Sequence, residues 1–510
     1  MSGRFTQRMA WLHTWGGLVF GWLLFAVFVT GTLSVFDREI DGWMRPELAG
    51  AKLDGNIDAT VDAAVDAAEA ALRDLAPEAG RWLIELPTDR LPAMRLLWID
   101  GGVQERYLDP ATHRVLTPRA THGGSHFAQF HARLHGGEIG IWVVSLLALG
   151  MLVAIVTGIV IHKRIFRDFF TFRPDARRQR SWLEGHNMTA VLVLPFHLMI
   201  AYSGLVIELP RIMPAGIDVL YDGDIRAYWR ESEPAIDRAP TGEQARMLPL
   251  SNILARGREE WGPGAVAMMN VWFPDDGGAA IDLMHDHGNW LTRLYNPLSY
   301  NGITGALRYG APDLGPVRNL TAAVEGLHHV EFGGPVVRWL YFLCGAAGSV
   351  MIATGLVLFT VKRRKRLADQ SPGAQRFHAV TERLNVGAVA GILVACAAYF
   401  WANRLLPVHL EGRALMEVLV FLGIVPVALL HGLLRPPRRG WVEQMGLAGL
   451  LCLLLPLLNA LTSEAHLGNS LPAGTWRLAG VDLTAAACGL VFLAIAHRIA
   501  RRTTTPGASC

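Results

Sequence analysis

Charged positions in this chain come in blocks, separated by long stretches that carry almost none. Eight such windows are long enough to cross the roughly 30 Å hydrocarbon core of a bilayer. They run Trp15–Phe36, Ile139–Ile161, Asn187–Ile207, Trp339–Val361, Asn385–Asn403, Val418–Leu434, Met445–Thr462 and Leu478–His497, the last interrupted by Asp482. Two long polar stretches, residues 37–138 and 209–334, lie between windows one and two and between windows three and four. Each contains strand-like alternation around a turn: "RLPAMRLLWIDGGVQERYLDP" at Gly101-Gly102, and "AVAMMNVWFPDDGGAAIDLM" at Asp275-Asp276-Gly277-Gly278. In the first, "DATVDAAVDAAEAALRDL" has helical spacing behind Asp58, a capping residue. Each polar stretch is therefore expected to fold as a small α+β module.

Composition agrees with the pattern. Of 510 residues, 51% are hydrophobic and 18% charged, with mean hydropathy +0.28, values of a mainly α-helical integral membrane protein. The net charge of +3 is too small to argue for nucleic acid. Its distribution is informative: "HKRIFRDFFTFRPDARRQR", "VKRRKR", "RPPRR" and "HRIARR" all fall on one side of the windows. The positive-inside rule makes that side cytoplasmic and puts both termini there, with the polar stretches outside. In a diderm bacterium this is an inner-membrane protein with periplasmic modules. The expected segments are a first span at 1–38, a module at 39–138, spans two and three with the basic loop at 139–208, a second module at 209–334, a fourth span at 335–365, and a four-helix extension at 366–510. Four of the five cysteines sit in apolar runs and none forms a CxxC pair, which indicates neither a disulfide framework nor a thiolate metal site. The first apolar run is too long, and lacks the small-residue site, for a cleaved signal.

An internal repeat is present. With Gly31 set on Gly204, His13 falls on His186; with Gly158 set on Gly355, His131 falls on His328. The span–module–span unit is thus duplicated in one orientation, which implies a pseudo-two-fold axis along the membrane normal. The histidines follow this repeat. His13, His186 and His162 mark the cytoplasmic ends of spans, and His131, His135, His328 and His329 the outer mouths. His197 lies within span three, about 16 Å along the helix from His186. Ionisable residues at membrane depth are functional candidates by default.

A single interfacial histidine commonly snorkels or makes an ordinary hydrogen bond. His162 also fits a basic anchor, and His285 and His287 a polar turn. Two repeat-related pairs facing one another across an axis point to chemistry instead. Neutral imidazole suits iron, zinc and copper alike. "HARLH" lacks the glutamate of a zinc HExxH site, and no nearby acidic cluster supplies oxygen ligands. A b-type haem needs one histidine from each of two helices and apolar or aromatic walls. Trp11, Trp15, Phe20, Trp22, Trp142, Phe196 and Trp339 are candidates for those walls, and Gly16, Gly17 and Gly21 for close approach to the backbone. Two haem b groups are expected. The inner one would bind iron through His13 and His186, with His162 as second choice. The outer one would use His131 and His328, with His135 and His329 competing, or His197 if it sits deeper. There is no GxGxxG motif and no inside domain large enough for a nucleotide, so electrons would come from reduced flavin, quinol or a cytoplasmic reductase. Two alternatives stand beside this reading. One is a non-redox membrane module that binds a protein or regulates a peptidase. The other is a transporter, favoured by the parallel repeat and by Pro195 in span three; the resemblance set out next would make it a component of siderophore uptake.

The stretches "WLHTWGGLVFGWLLF", "FHARLHGGEIGIWVV", "TGIVIHKRIFRDFFTFRP" and "SWLEGHNMTAVLVLPFHLMIAYSGL" resemble the PepSY-associated transmembrane family, which includes iron-regulated inner-membrane proteins of the ferric-siderophore reductase type. The resemblance spans roughly residues 5 to 365. It implies a PepSY-like fold for each module, haem held by intramembrane histidines, and reduction of periplasmic ferric iron that is free or siderophore-bound. His13, His131, His135, His162, His186 and His197 match motif positions, whereas "GLHHVEFGG" around His328 and His329 departs from them. Residues 379–510 lie outside the shorter members.

Overall fold

Long charge-free runs can satisfy their backbone polar groups in a bilayer only by coiling on themselves, and in the computed structural model they do so. It describes residues 3–51, 53, 57–162, 178–232, 238–286, 288, 290–293, 297–310, 315–364 and 366–501. Most of the basic stretch after span two, and His287, fall outside these. Among the described residues seven helices are long and apolar enough to span a membrane: Arg4–Ser34, Gly137–Ile161, Gly334–Arg364, Pro372–Leu405, Arg413–Leu434, Pro437–Thr462 and Trp476–Arg501. The eighth window is a helix pair, Trp182–Leu192 and Leu194–Ile207, bent by 66°. Pro195 accounts for the break, because its ring removes the N–H that Val191 would accept and collides with that carbonyl. The chain is thus a multi-pass membrane protein by helix length and composition.

The chain divides into two compact units. The helical unit comprises Met1–Met44, Ala120–Leu205 and Arg338–Cys510; the other comprises Arg45–Arg119 and Val206–Val337. This moves the expected edges of the first module at both ends. A short helix, Asp37–Met44, and a second, Ser125–Arg133, belong to the helical unit. For the first helix the reason is packing: Trp43 and Met44 are completely buried, and the Trp43 indole donates to Asp482 of the last span at 2.9 Å.

The second unit replaces the expected pair of separate modules with one sheet. Strands β1 (Arg81–Glu85), β2 (Met94–Ile99), β3 (Val103–Leu108) and β4 (Val115–Leu116) come from the first polar stretch. Strands β5 (Val266–Trp272), β6 (Ala280–His285), β7 (Leu298–Asn301) and β8 (Leu307–Tyr309) come from the second. All pair antiparallel in the order β4-β3-β2-β1-β5-β6-β7-β8, and the halves join where Arg81 to Glu85 align with Trp272 to Met268. Each half also brings one amphipathic helix. On Ile57–Leu75 the buried apolar positions are Val61, Ala64, Val65, Ala68 and Leu72, the spacing of a single helical face. On Leu250–Trp261 they are Leu250, Ile253, Leu254 and Gly257. Both faces pack with Trp82, Ile84, Met269 and Ile281 in one core. The halves are also tied by capping, since Glu69 accepts the Leu250 N–H at 2.9 Å and Asp66 accepts from Ser251 at the same helix start.

The β5–β6 turn is held by a carboxylate. Asp276 accepts the backbone N–H groups of Thr241, Gly242 and Gly278, together with the Thr241 hydroxyl. Those donors hold its acid down at about 2. A pKa depressed in the folded state adds stability above the ordinary carboxylate value, and that stability is lost as pH falls towards the depressed one. Hydrogen-exchange protection of Thr241, Gly242 and Gly278, corrected for intrinsic rates, should therefore decline between about pH 4 and about pH 2. Asp276→Asn should lower it already at neutral pH and abolish the dependence.

Candidate functional site

Two imidazoles meet inside the helical unit. His13 of the first span and His186 of the third have ring centres 6.4 Å apart and planes at 69°. Each is anchored in the same way. The His13 Nδ1–H donates to the Ala154 carbonyl at 2.9 Å, with the Thr157 hydroxyl at 3.2 Å. The His186 Nδ1–H donates to the Met351 carbonyl at 2.8 Å, with the Thr354 hydroxyl at 3.4 Å. A carbonyl only accepts, so both rings carry their proton on Nδ1 and keep a lone pair on Nε2. The rings reach these carbonyls because each lies over a glycine. A Cβ on Gly158 would stand 3.3 Å from His13, and one on Gly355 would stand 3.1 Å from His186. Carbonyl, hydroxyl and glycine sit at equivalent repeat positions on spans two and four, so the duplication read from the sequence extends to side-chain contacts.

The other candidates are distributed as follows. His131, on the helix Ser125–Arg133, donates from Nδ1 to the Val27 carbonyl at 2.8 Å and lies over Gly31. Burial pushes it below its usual pKa, which keeps it neutral. His197 is completely buried in span three, beside Phe28 and Phe196 and over Gly348, and among the described residues neither ring nitrogen has a hydrogen-bond partner. His162 ends the second span and interacts electrostatically with both His13 and His186. His135 is engaged elsewhere, with its Nε2 2.9 Å from Nδ1 of His126. His328 and His329 close the helix Gly315–His329 in the sheet-bearing unit, and His329 donates to the Glu325 carbonyl of its own helix.

Sequence reasoning missed His126, which neither ends a span nor has a histidine at its repeat position. It is fully buried between His135 and Tyr399, and burial, then the neighbouring His135 and His122, push it down to about 3. The aromatic wall needs correcting too. Phe196 does border His197, and Phe20 lies against Gly150 in a small apolar groove of about 220 Å³ between spans one and two. Trp11 and Trp142 are instead more than half exposed, as befits rings facing lipid. Trp22 donates to Asn385, and Trp339 packs on Phe36 and Phe342. Of the three glycines, Gly21 faces Leu356 and serves helix packing, whereas a Cβ on Gly16 or Gly17 would meet open space.

The donor set decides what such a site can hold. Among the described residues no three His, Cys, Asp or Glu converge on a metal position, so a closed four-ligand centre has nothing to build it. Paired neutral imidazoles suit an iron whose equatorial donors come from a porphyrin. His13 and His186 would be the two imidazoles that hold it, and their Nδ1 bonds are the outer contacts that orient such ligands.

Among known sequences, the profile described as "PepSY-associated TM region" matches residues 10–362. An uncharacterised protein of Pseudomonas aeruginosa is 25% identical over 396 residues, covering 74% of this chain and 95% of the relative.

If glycine makes room for these rings, Gly348→Ala should be costly, because the new methyl would lie 2.5 Å from Phe28 and 2.9 Å from His197. Overpacking of this kind costs about 1–3 kcal/mol. Gly423→Ala, where a Cβ meets open space, should be neutral or gain up to about 1 kcal/mol of helix propensity. Thermal unfolding in detergent compares the two, and equal midpoints would remove the steric argument.

Proposed function

The chain belongs to the PepSY-associated transmembrane family, and from that premise we propose that it is a haem-containing oxidoreductase of the bacterial inner membrane, passing electrons outward to ferric iron held in or released from a siderophore. The observation that carries this reading is the His13–His186 pair. These are two imidazoles from duplicated helices, with ring centres 6.4 Å apart, Nδ1 committed to a carbonyl and Nε2 left as the nitrogen that would hold the iron. Bound b-type haem would supply one-electron transfer. The chain's own residues fix the ring planes through Ala154 and Met351.

A second haem is assigned to His131, whose Nδ1 is likewise committed, with His197 as the partner available in the same unit. The termini and the basic loops are cytoplasmic in this reading. The sheet-bearing unit, its two halves PepSY-like, is periplasmic and receives the ferric chelate. Hard oxygen donors of a siderophore match Fe(III), so accepting one electron gives Fe(II) and weakens the complex. Electrons enter from reduced flavin, quinol or a cytoplasmic reductase.

Purified protein should show a reduced-minus-oxidised spectrum of b type. His13→Ala should remove one component and His131→Ala the other. In proteoliposomes with dithionite trapped inside, external Fe(III) chelate should be reduced by the wild type and by neither variant. Protein that stays colourless and haem-free after haem supplementation would overturn the reading.

A further inference from the structure

The last four spans lie beyond residue 362, where the family match ends, yet their most buried polar groups converge on the family core. Arg413 and Glu417 are completely buried and paired at 2.5 Å. Asn403 donates to Glu417 at 2.8 Å, Arg404 donates to Asn403 and Asn459, and Asn459 donates to Asp482. The chain of bonds leaves the extension at two places. One is the short helix Asp37–Met44, where Arg404 donates to the Trp43 carbonyl and the Trp43 indole donates to Asp482.

The other is the turn 120–123, immediately ahead of the helix that carries His131. Arg413 donates to the Ala120 carbonyl at 2.8 Å, the Thr121 hydroxyl donates to Glu417, and the Tyr399 hydroxyl donates to the Gly123 carbonyl at 2.9 Å. Aromatic packing continues the grip along the helix. His126 stacks on Tyr399 with centres 4.2 Å apart, Phe127 stacks on Phe400 at 5.7 Å, and Phe130 meets Phe421 at 5.1 Å.

This helix needs holding. It has nine residues, no side-chain cap at its start, and a C-terminal exit through Leu134 and His135, both in the left-handed region at φ 52° and 53°. A helix so short is not stable by itself. One of its faces rests on the extension through His126, Phe127 and Phe130. His131 points to the first span, where its Nδ1–H meets Val27 and its ring lies over Gly31. The extension and the first span therefore clamp the helix from two directions.

We propose that the C-terminal four-helix extension is a built-in positioning element for His131, acting through Glu417, Arg413 and Tyr399 on the turn 120–123 and through Tyr399, Phe400 and Phe421 on the helix face. The consequence for a bound haem rests on the function proposed above; the consequence for the imidazole does not. The hydrogen-bond partners of His13 and His186, which are Ala154, Thr157, Met351 and Thr354, all lie ahead of the extension, so the inner pair is the internal reference.

The experiment uses the full-length protein in detergent and two variants. Glu417→Gln removes the charge opposite Arg413, and Tyr399→Phe keeps the ring stack but deletes the bond to Gly123, a change mild enough to fold. In haem-free protein, diethylpyrocarbonate modification followed by mass spectrometry should find His131 at least fivefold more reactive in each folded variant, with His13 and His186 unchanged. In haem-loaded protein, a potentiometric titration should move one component by up to tenfold in its redox equilibrium constant, which is about 59 mV for one electron, and leave the other in place. Unchanged His131 reactivity in Tyr399→Phe would overturn the proposal. So would an equal rise at all three histidines, which means general loosening. If no haem binds to the wild type, the proposed function fails while the modification result still decides the positioning role.

Discussion

A side chain can reach a carbonyl in the middle of a neighbouring helix only where the surface of that helix lets it close, and glycine makes that room here. His13 over Gly158, His186 over Gly355 and His131 over Gly31 each spend their Nδ1–H on a helix carbonyl. One contact thereby fixes three things: the tautomer, the ring plane, and the approach of two helices. A bulkier residue at the glycine would separate the helices and free the ring together. Three of the four glycines used to register the two halves of the chain, Gly31, Gly158 and Gly355, are thus the seats of histidines, and for these the repeat has a mechanical reason.

The extension solves a different problem. Four ionisable groups, Arg404, Arg413, Glu417 and Asp482, are almost completely buried among helices of the membrane unit. Such charges are tolerable only when paired and fully hydrogen-bonded, and removing one partner of a buried pair typically costs about 3–5 kcal/mol. Their two signs balance, and the asparagines between them pass each bond to the next group. Because some acceptors are backbone carbonyls of residues 43 and 120, the cluster cannot be satisfied by the extension alone. The four added helices and the family core are therefore interdependent in their polar accounting.

The legible and illegible parts of the molecule differ in the range of the interactions that set them. All eight windows became helices because the absence of charge is a local property. The β2–β3 and β5–β6 hairpins formed about Gly101-Gly102 and Asp275 to Gly278, since turn chemistry is local as well. The helix Ile57–Leu75 was readable from apolar spacing. The β1–β5 junction was not, because no local signal says which distant edge a strand will meet. Asp482 looked like a flaw in the last span, and only its distant partners Trp43 and Asn459 explain it. The histidines were visible where duplication marked them. His126, unduplicated and held by Tyr399 and Phe421 from beyond the repeat, was not.

The same junction sets a timetable for biosynthesis. Strand β1 ends at Glu85 and its partner β5 begins at Val266, with two membrane spans threaded between them. At roughly 5–20 residues per second, translation of those roughly 180 residues takes about 9 to 36 seconds. Throughout that interval the first half of the sheet has an open edge, the geometry that invites pairing with a stranger. Arg81 and Glu85 bracket that edge with opposite charges, and charged edge residues are a common guard against such pairing. Synthesis of the first four strands and closure of the sheet are thus two separate events, and the waiting strand carries its own protection between them.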